Sequence, residues 1–272
     1  PIYRAHRRFI GPCGYSDIQI ILSNCKINLT GGVAIVPKVT IAQNILAAND
    51  TIAQEIQQSL AARGIRTINM MSSPGAGKTT LLERTIERLS GQLGIAVIEG
   101  DVETSADAER IEAAGAETVQ INTRGACHLE AHMVRDALAQ IDLARSDLLV
   151  IENIGNLVCP SAWNLGEDVR VVVVSTTEGD DKPAKYPQMF AVSQVMIVNK
   201  LDLLPYLDYD VEKVKRQALA INPHLRIFEL SCRTGAGLEA WCDWLVAFVR
   251  GEAQLPAMDA LREEHSRGIS QR

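Results

Sequence analysis

The stretch SSPGAGKTT at residues 72–80 constrains the fold more than any other part of the chain. It follows the apolar run TINMMS (67–72) and opens a helical pattern over 78–90. A phosphate-binding loop needs that strand–loop–helix setting, because loop amides and the helix N-terminus receive the anion together. Gly75 and Gly77 let the backbone turn its amides inward, and Ser73, Pro74, Ala76 and Thr80 complete the loop. Lys78 is placed to set its charge on the β- and γ-phosphates, and Thr79 to offer a hydroxyl to Mg²⁺. Ser72 stands where the usual pattern has Gly, but the GKT half and its setting are intact.

Beyond Gly64, short apolar runs alternate with helical patterns. The predicted strands are 67–72, 95–100, 118–122, 147–152, 170–175, 194–199 and 226–231. The predicted helices between them are 78–90, 105–114, 128–141, 209–220 and 237–250. Most of the strands are continuously apolar, as strands covered on both faces are. Strand–helix alternation predicts an α/β fold of the P-loop NTPase type, with a mainly parallel sheet and helices on both faces. Residues 64–250 thus read as one nucleotide-hydrolysing domain. Ahead of it, Ile41, Ile45, Ile52, Ile56 and Leu60 predict an amphipathic helix over 41–63. Residues 1–40 have weak periodicity and predict an irregular segment, and the charged tail 251–272 is expected to fray.

The base is addressed by NKLD at 199–202, on the end of the sixth predicted strand. One carboxylate, Asp202, can accept from both the N1–H and the 2-amino group of guanine. Adenine lacks that donor pair, and a site that leaves a buried polar group unpaired discriminates strongly. Asn199 is expected to contact the base or brace the loop, and the Lys200 stem to cover the base face. SCRTGAG (231–237) supplies Ser231, Cys232 and Arg233 to a loop resembling the one that completes a guanine pocket. LLVIENIG (148–155) delivers Glu152 as an acid for Mg²⁺, with Gly155 at the D-x-x-G spacing. Asp101, which ends EGD, is a second candidate; Asp107 is a third that equally suits a solvated first helical turn. GTP and Mg²⁺ are the expected ligands, with Lys78, Thr79, Asp101 and Glu152 as the catalytic set.

CHLEAHM (127–133) places Cys127 and His128 at the carboxyl side of the third predicted strand. Cys159, seven residues after Glu152, emerges at the same face. Two thiols and an imidazole suit Zn²⁺ or Ni²⁺, and His132, one helical turn on from His128, could assist. Three ligands leave such a site incomplete, which invites a partner chain. Two other readings stand beside this one: thiols packed as small hydrophobes, and a Cys/His nucleophile.

Other function classes fall away on composition. The net charge of −6 offers no electrostatic basis for nucleic acid. No apolar run approaches the length of a membrane helix. PIYRAHRRFIGPCGY lacks the apolar region of a secretory signal, so the six cysteines predict reduced thiols in the cytoplasm rather than a disulfide framework.

Taken together, ILAANDTIAQE, MSSPGAGKTTLLERTI, IEGDVETSADAERI, INTRGACHLEAHMV, ENIGNLVCP, EGDDKPAKYPQMF and VNKLDLLP resemble the hydrogenase nickel-incorporation GTPase family, HypB. The resemblance spans about residues 41–250. It implies a dimerising metallochaperone GTPase that couples GTP hydrolysis to nickel delivery into [NiFe]-hydrogenase precursors. It also implies a metal site of Cys127, His128 and Cys159 for Ni²⁺ or Zn²⁺ at a homodimer interface promoted by GTP or metal. A companion nickel-insertion accessory protein and the hydrogenase large-subunit precursor are the implied partners. Ser is the family's residue at the first loop position, which accounts for Ser72. The N-terminus departs from the pattern. Cys13 and Cys25 lie far apart with only His6 nearby, so an N-terminal nickel site is not expected. The alternatives are a urease-type nickel GTPase, which would carry Cys-Pro-His, and a metal storage protein, which would need neither the P-loop nor NKLD.

Overall fold

The computed structural model describes residues 25–27, 33–35, 41–101, 106–123 and 125–253. Strands β1 (Cys25–Ile27) and β2 (Val33–Ile35) form an antiparallel hairpin within the segment that the periodicity left irregular. This hairpin belongs to a separate unit, residues 1–44. The tail beyond residue 253 lies outside the described residues.

Helix α1 (Ile41–Ala62) leads into the second unit. There follow β3 (Arg66–Ser72), α2 (Lys78–Leu89), β4 (Ile95–Asp101), α3 (Ala106–Ala113) and β5 (Glu117–Asn122). Next come α4 (Ala131–Leu138), β6 (Leu148–Gly155) and β7 (Val169–Ser175). The chain continues through the short helices α5 (Lys182–Lys185) and α6 (Pro187–Ala191) to β8 (Val195–Asn199). It then runs through α7 (Val211–Ile221), β9 (Arg226–Glu229) and α8 (Leu238–Val249). The seven strands β3 to β9 make one sheet in the order β5-β4-β6-β3-β7-β8-β9, parallel throughout. This is the predicted P-loop architecture, with the first strand at its centre.

Successive residues of each central strand enter different cores, which is why the strands read as unbroken apolar runs. Leu148 and Val150 of β6 pack with α2 and α8, whereas Leu149 and Ile151 pack with α1 and α4. Val172 and Val174 of β7 meet Val214 and Ala218 of α7 on the latter side. Trp241 of α8 is buried and donates its indole N–H to Thr85 of α2 at 3.0 Å. Truncating such a side chain to Ala costs about 3–5 kcal/mol.

Two further sequence expectations differ from the fold. The buried stripe of α1 runs Asn49, Ala53, Ile56 and Leu60, whereas Ile45 is 48% exposed. The apolar isoleucines suggested a face rotated toward Ile45, because a buried asparagine does not register in a hydrophobic count. Helix α4 begins at Ala131 rather than 128, since Glu130 before it is extended (φ −116°, ψ 155°). Residues 127–130 therefore form a loop that holds Cys127 and His128 off the helix.

Candidate nucleotide and metal site

The carboxyl ends of β3, β4 and β6 open onto a cavity of about 520 Å³. The P-loop forms one wall through Gly75, Gly77, Lys78 and Thr79, and Glu99, Asp101 and Glu152 form another. Lys78 Nζ donates to Ser72 Oγ at 3.0 Å and lies 4.0 Å from Glu152 Oε1. Thr79 Oγ1 donates to the same oxygen at 2.9 Å. The side-chain reach of Lys78 and Thr79 is thus already organised around Glu152, which burial pushes up to a pKa of about 7 against the pull of Lys78. Gly155 at the end of β6 presses on the loop: a Cβ there would meet the Pro74 backbone at 2.9 Å, so only glycine fits.

A fourth acid was not singled out from the sequence. Glu99 on β4 sits beside Glu152 in the parallel register, so the two carboxylates share a face. Burial, then the charges of Glu152, Asp101 and Asp107, raise its pKa to about 8. Both Glu99 Oε2 and Glu152 Oε2 are buried without a hydrogen-bond partner. Crowded oxygens of this kind suit a hard divalent cation, and the Thr79 hydroxyl adds a neutral oxygen. The donor set therefore fits Mg²⁺. Asp107 also lines the cavity but is paired with Arg110 at 2.9 Å. Arg110 in turn bonds Glu83 at 2.6 Å and Thr80 at 3.2 Å, bringing to the cavity a cation that no motif announced.

An adjoining cavity of about 460 Å³ is walled by Asn199, Lys200, Asp202, Cys232 and Arg233, and it shares Gly77 and Thr80 with the first. Asn199 is a brace: Nδ2 donates to Ala76 O at 3.0 Å, and Oδ1 accepts from the amides of Lys200 and Cys232. Lys200 takes φ +65° and donates Nζ to Gly75 O at 2.7 Å, laying its stem along the cavity. Ser231 Oγ donates to Asp202 Oδ1 at 2.6 Å and orients that carboxylate. Burial raises the Cys232 thiol to about 11, so Cys232 is a neutral wall. Ser73 is not among the residues that line either cavity, and its hydroxyl donates to Glu178.

The cysteine–histidine stretch meets Cys159 in space. Cys127 Sγ lies 3.1 Å from Cys159 Sγ and 3.6 Å from His128 Nδ1. One ligand atom from each of the three falls within 4.8 Å of the others, at the spacing a single ion needs. Cys127 is exposed and Cys159 half-buried. Sulfur and imidazole donors suit a borderline ion such as Ni²⁺ or Zn²⁺. His132 is not among the three; its Nδ1 pairs with Glu130 at 3.3 Å. The same carboxylate lies 3.7 Å from His128 Nε2, beyond hydrogen-bond distance, and that nitrogen is buried without a partner. Trp163 stacks on His128 at 4.5 Å between centroids. Burial lowers the His128 pKa against the pull of Glu130, favouring the neutral, metal-binding form. Glu130 and Trp163 carried no motif signal.

A phosphate loop after the central strand of a parallel sheet, with buried acids on the neighbouring strands and an adjoining cavity beyond β8, defines a P-loop nucleoside-triphosphatase domain. The family model for the CobW/HypB/UreG nucleotide-binding domain matches residues 66–229. The hydrogenase maturation factor HypB of Azotobacter vinelandii is 49% identical over 82% of this chain and 74% of its own length. HypB of Archaeoglobus fulgidus superposes with a TM-score of 0.71 at 42% identity, covering 75% of this chain and 100% of that one. Helicobacter pylori HypB, solved in complex with nickel, gives a TM-score of 0.72 at 38% identity over 76% and 97%. The chain belongs to the HypB family of hydrogenase maturation GTPases. Among the described residues, no helix is long and apolar enough to cross a membrane.

Proposed function

We propose that this chain hydrolyses GTP in the paired cavities and uses the cycle to load and release nickel at Cys127, His128 and Cys159, for insertion into a [NiFe]-hydrogenase precursor. The observation that carries the reading is the meeting of both thiols and the imidazole within 4.8 Å, next to the strand that supplies Glu152. Asp202 and Ser231 read guanine, Asn199 and Lys200 hold the pocket against the P-loop, and Cys232 and Arg233 close it. Lys78 and the loop amides orient the phosphates. Thr79, Asp101 and Glu152, with Glu99 beside them, would hold Mg²⁺, which when bound would neutralise charge building on the transferring phosphoryl group. Nickel is cargo. Because Asn153, Ile154 and Gly155 lie between Glu152 and the Cys159 loop, a nucleotide-driven shift of β6's end moves Cys159 directly.

Three ligands from one chain leave room for more, and a second copy contributing its own set supports a homodimer promoted by GTP or metal. A companion nickel-insertion protein and the hydrogenase large-subunit precursor are the further partners. Thiols that must stay reduced to hold metal favour a cytoplasmic location. The test is to purify the chain, separate monomer from dimer, and measure nickel, zinc and nucleotide in each fraction with and without a non-hydrolysable GTP analogue. Nickel concentrated in a GTP-dependent dimer is expected; metal independent of nucleotide and of the cysteines overturns the reading.

A further inference from the structure

We infer that Asn49, on a helix outside the matched nucleotide-binding domain, is a positioning residue for the metal centre, tying both ligand-bearing loops to α1. This rests on the assignment of nickel to Cys127, His128 and Cys159. Asn49 is 5% exposed and sits on the apolar stripe of α1. Such a placement is costly for an amide unless both of its ends are bonded. Oδ1 accepts from the Ala131 amide at 2.8 Å, and Nδ2 donates to Asn164 O at 2.8 Å. The two partners lie on different loops.

Each bond acts one step from a metal-site group. Ala131 is the first residue of α4, and its amide is one of the orphans of a helix start. Glu130 makes no side-chain cap of its own there. Asn49 caps α4 from another helix, fixing the end from which residues 127–130 run back to His128 and Cys127. On the other loop, Asn164 follows Trp163, the ring stacked on His128. Buried Arg170 holds the same loop by donating to Ser161 O and Trp163 O, while Glu167 neutralises it. Helix α1 presses directly on this loop: a Cβ at Gly166, where φ is +88°, would meet Ala53 O at 2.8 Å. The Asn49 amide therefore ties the loop bearing Cys127 and His128 to the loop bearing Cys159 on the side of α1. An amide suits this role, since one loop presents a donor and the other an acceptor.

The test uses the full chain, with Ni²⁺ alone as probe. Asn49→Ala is expected to weaken Ni²⁺ binding by about tenfold or more, the range for outer-shell partners of metal ligands. The thiolate-to-nickel absorption band should shift or broaden, with GDP affinity and basal GTP hydrolysis unchanged. Leu60→Ala, about 16 Å along the same helix, is the control for general destabilisation; it should lower Tm and leave the nickel affinity and band alone. Asn49→Asp keeps the acceptor for Ala131 but sets a carboxylate against Asn164 O, so it should perturb the band by releasing the Cys159 loop only. It also decides the matter if Asn49→Ala does not fold. Nickel affinity and band in the Asn49 variants that match those of Leu60→Ala would overturn the inference while the ligand assignment stands. Wild-type nickel affinity in a Cys127→Ala, Cys159→Ala chain would remove the assignment itself, and this inference with it.

Discussion

The two halves of the crevice are built from one strand in opposite ways. On β6, Glu152 turns toward α2 and the phosphate loop, and Asn153, the next residue, turns toward the loop of His128, where its Oδ1 accepts from Leu129 N at 3.4 Å. The nucleotide half is buried and mutually braced: Lys78, Thr79, Glu152 and Asn199 are each 9% exposed or less. The metal half lies on loops, with Cys127 exposed, and its order comes from side-chain amides. Asn156 donates to Cys127 O at 3.1 Å and accepts from Val158 N, so this one residue joins the two thiol loops. The contrast follows from the tasks. Phosphoryl transfer rewards donors fixed before the reaction begins, whereas a carried ion must enter and leave. The thiols show the same division. Cys232 and Cys242 are buried, whereas Cys127 is exposed and Cys159 half-buried, so this pair can reach an ion in solvent.

The contrast can be broken or sharpened experimentally. The largest effect is expected for Lys78→Ala, which should lower GTP turnover by about 10³-fold yet leave circular dichroism and nickel affinity in place; preserved turnover would remove the phosphate-loop assignment. Next, a Cys127→Ala, Cys159→Ala chain should lose about 10²-fold in nickel affinity, read by equilibrium dialysis, with basal GTP hydrolysis kept. A parallel loss of hydrolysis would show that the halves are not separable. Asp202→Asn should weaken GTP by about 10- to 100-fold, the value of one bidentate base contact, and admit xanthosine triphosphate, because an amide can donate to the 2-oxo group. Unchanged GTP affinity there would relocate the base pocket. Exchanging GDP for a GTP analogue should change nickel affinity by about five- to tenfold, at the lower end of measured site-to-site couplings, and identical titrations in both states would cut the link through β6. The smallest signal is a difference in labelling order. Peptide mapping after brief alkylation should find Cys127 and Cys159 modified ahead of Cys232 and Cys242, with nickel protecting only the first pair.

What the sequence made legible was local. The phosphate loop and NKLD are contiguous, and their chemistry needs residues at fixed short spacings. The parallel sheet was equally plain, since two-sided burial leaves unbroken apolar runs such as VRVVVVS in β7. Cys127, His128 and Cys159 could be gathered because their loops leave the carboxyl ends of one parallel sheet, and the family resemblance singled them out as a candidate metal site. The supporting shell was hidden because its members are far apart in the chain. Glu99 finds Glu152 only through the register of β4 on β6. Asn49 bonds Asn164 across 115 residues, and Asn153 bonds Asn69 across 84. Trp163 was silent for a related reason: an aromatic ring in a loop has no periodicity until its neighbour is known.

The stacking of Trp163 on His128 also gives this molecule an optical property. The chain holds three tryptophans. Trp241 and Trp244 stack together within the core around α8 and emit from a dry environment that the metal loops do not touch. Trp163 is half-buried, with its ring against the imidazole that would bind the ion. Nickel(II), with its partly filled d-shell, would quench an excited indole at that range, whereas closed-shell zinc would not. The red-shifted part of the emission therefore reports which metal is aboard, and the blue-shifted part serves as an internal reference in the same spectrum.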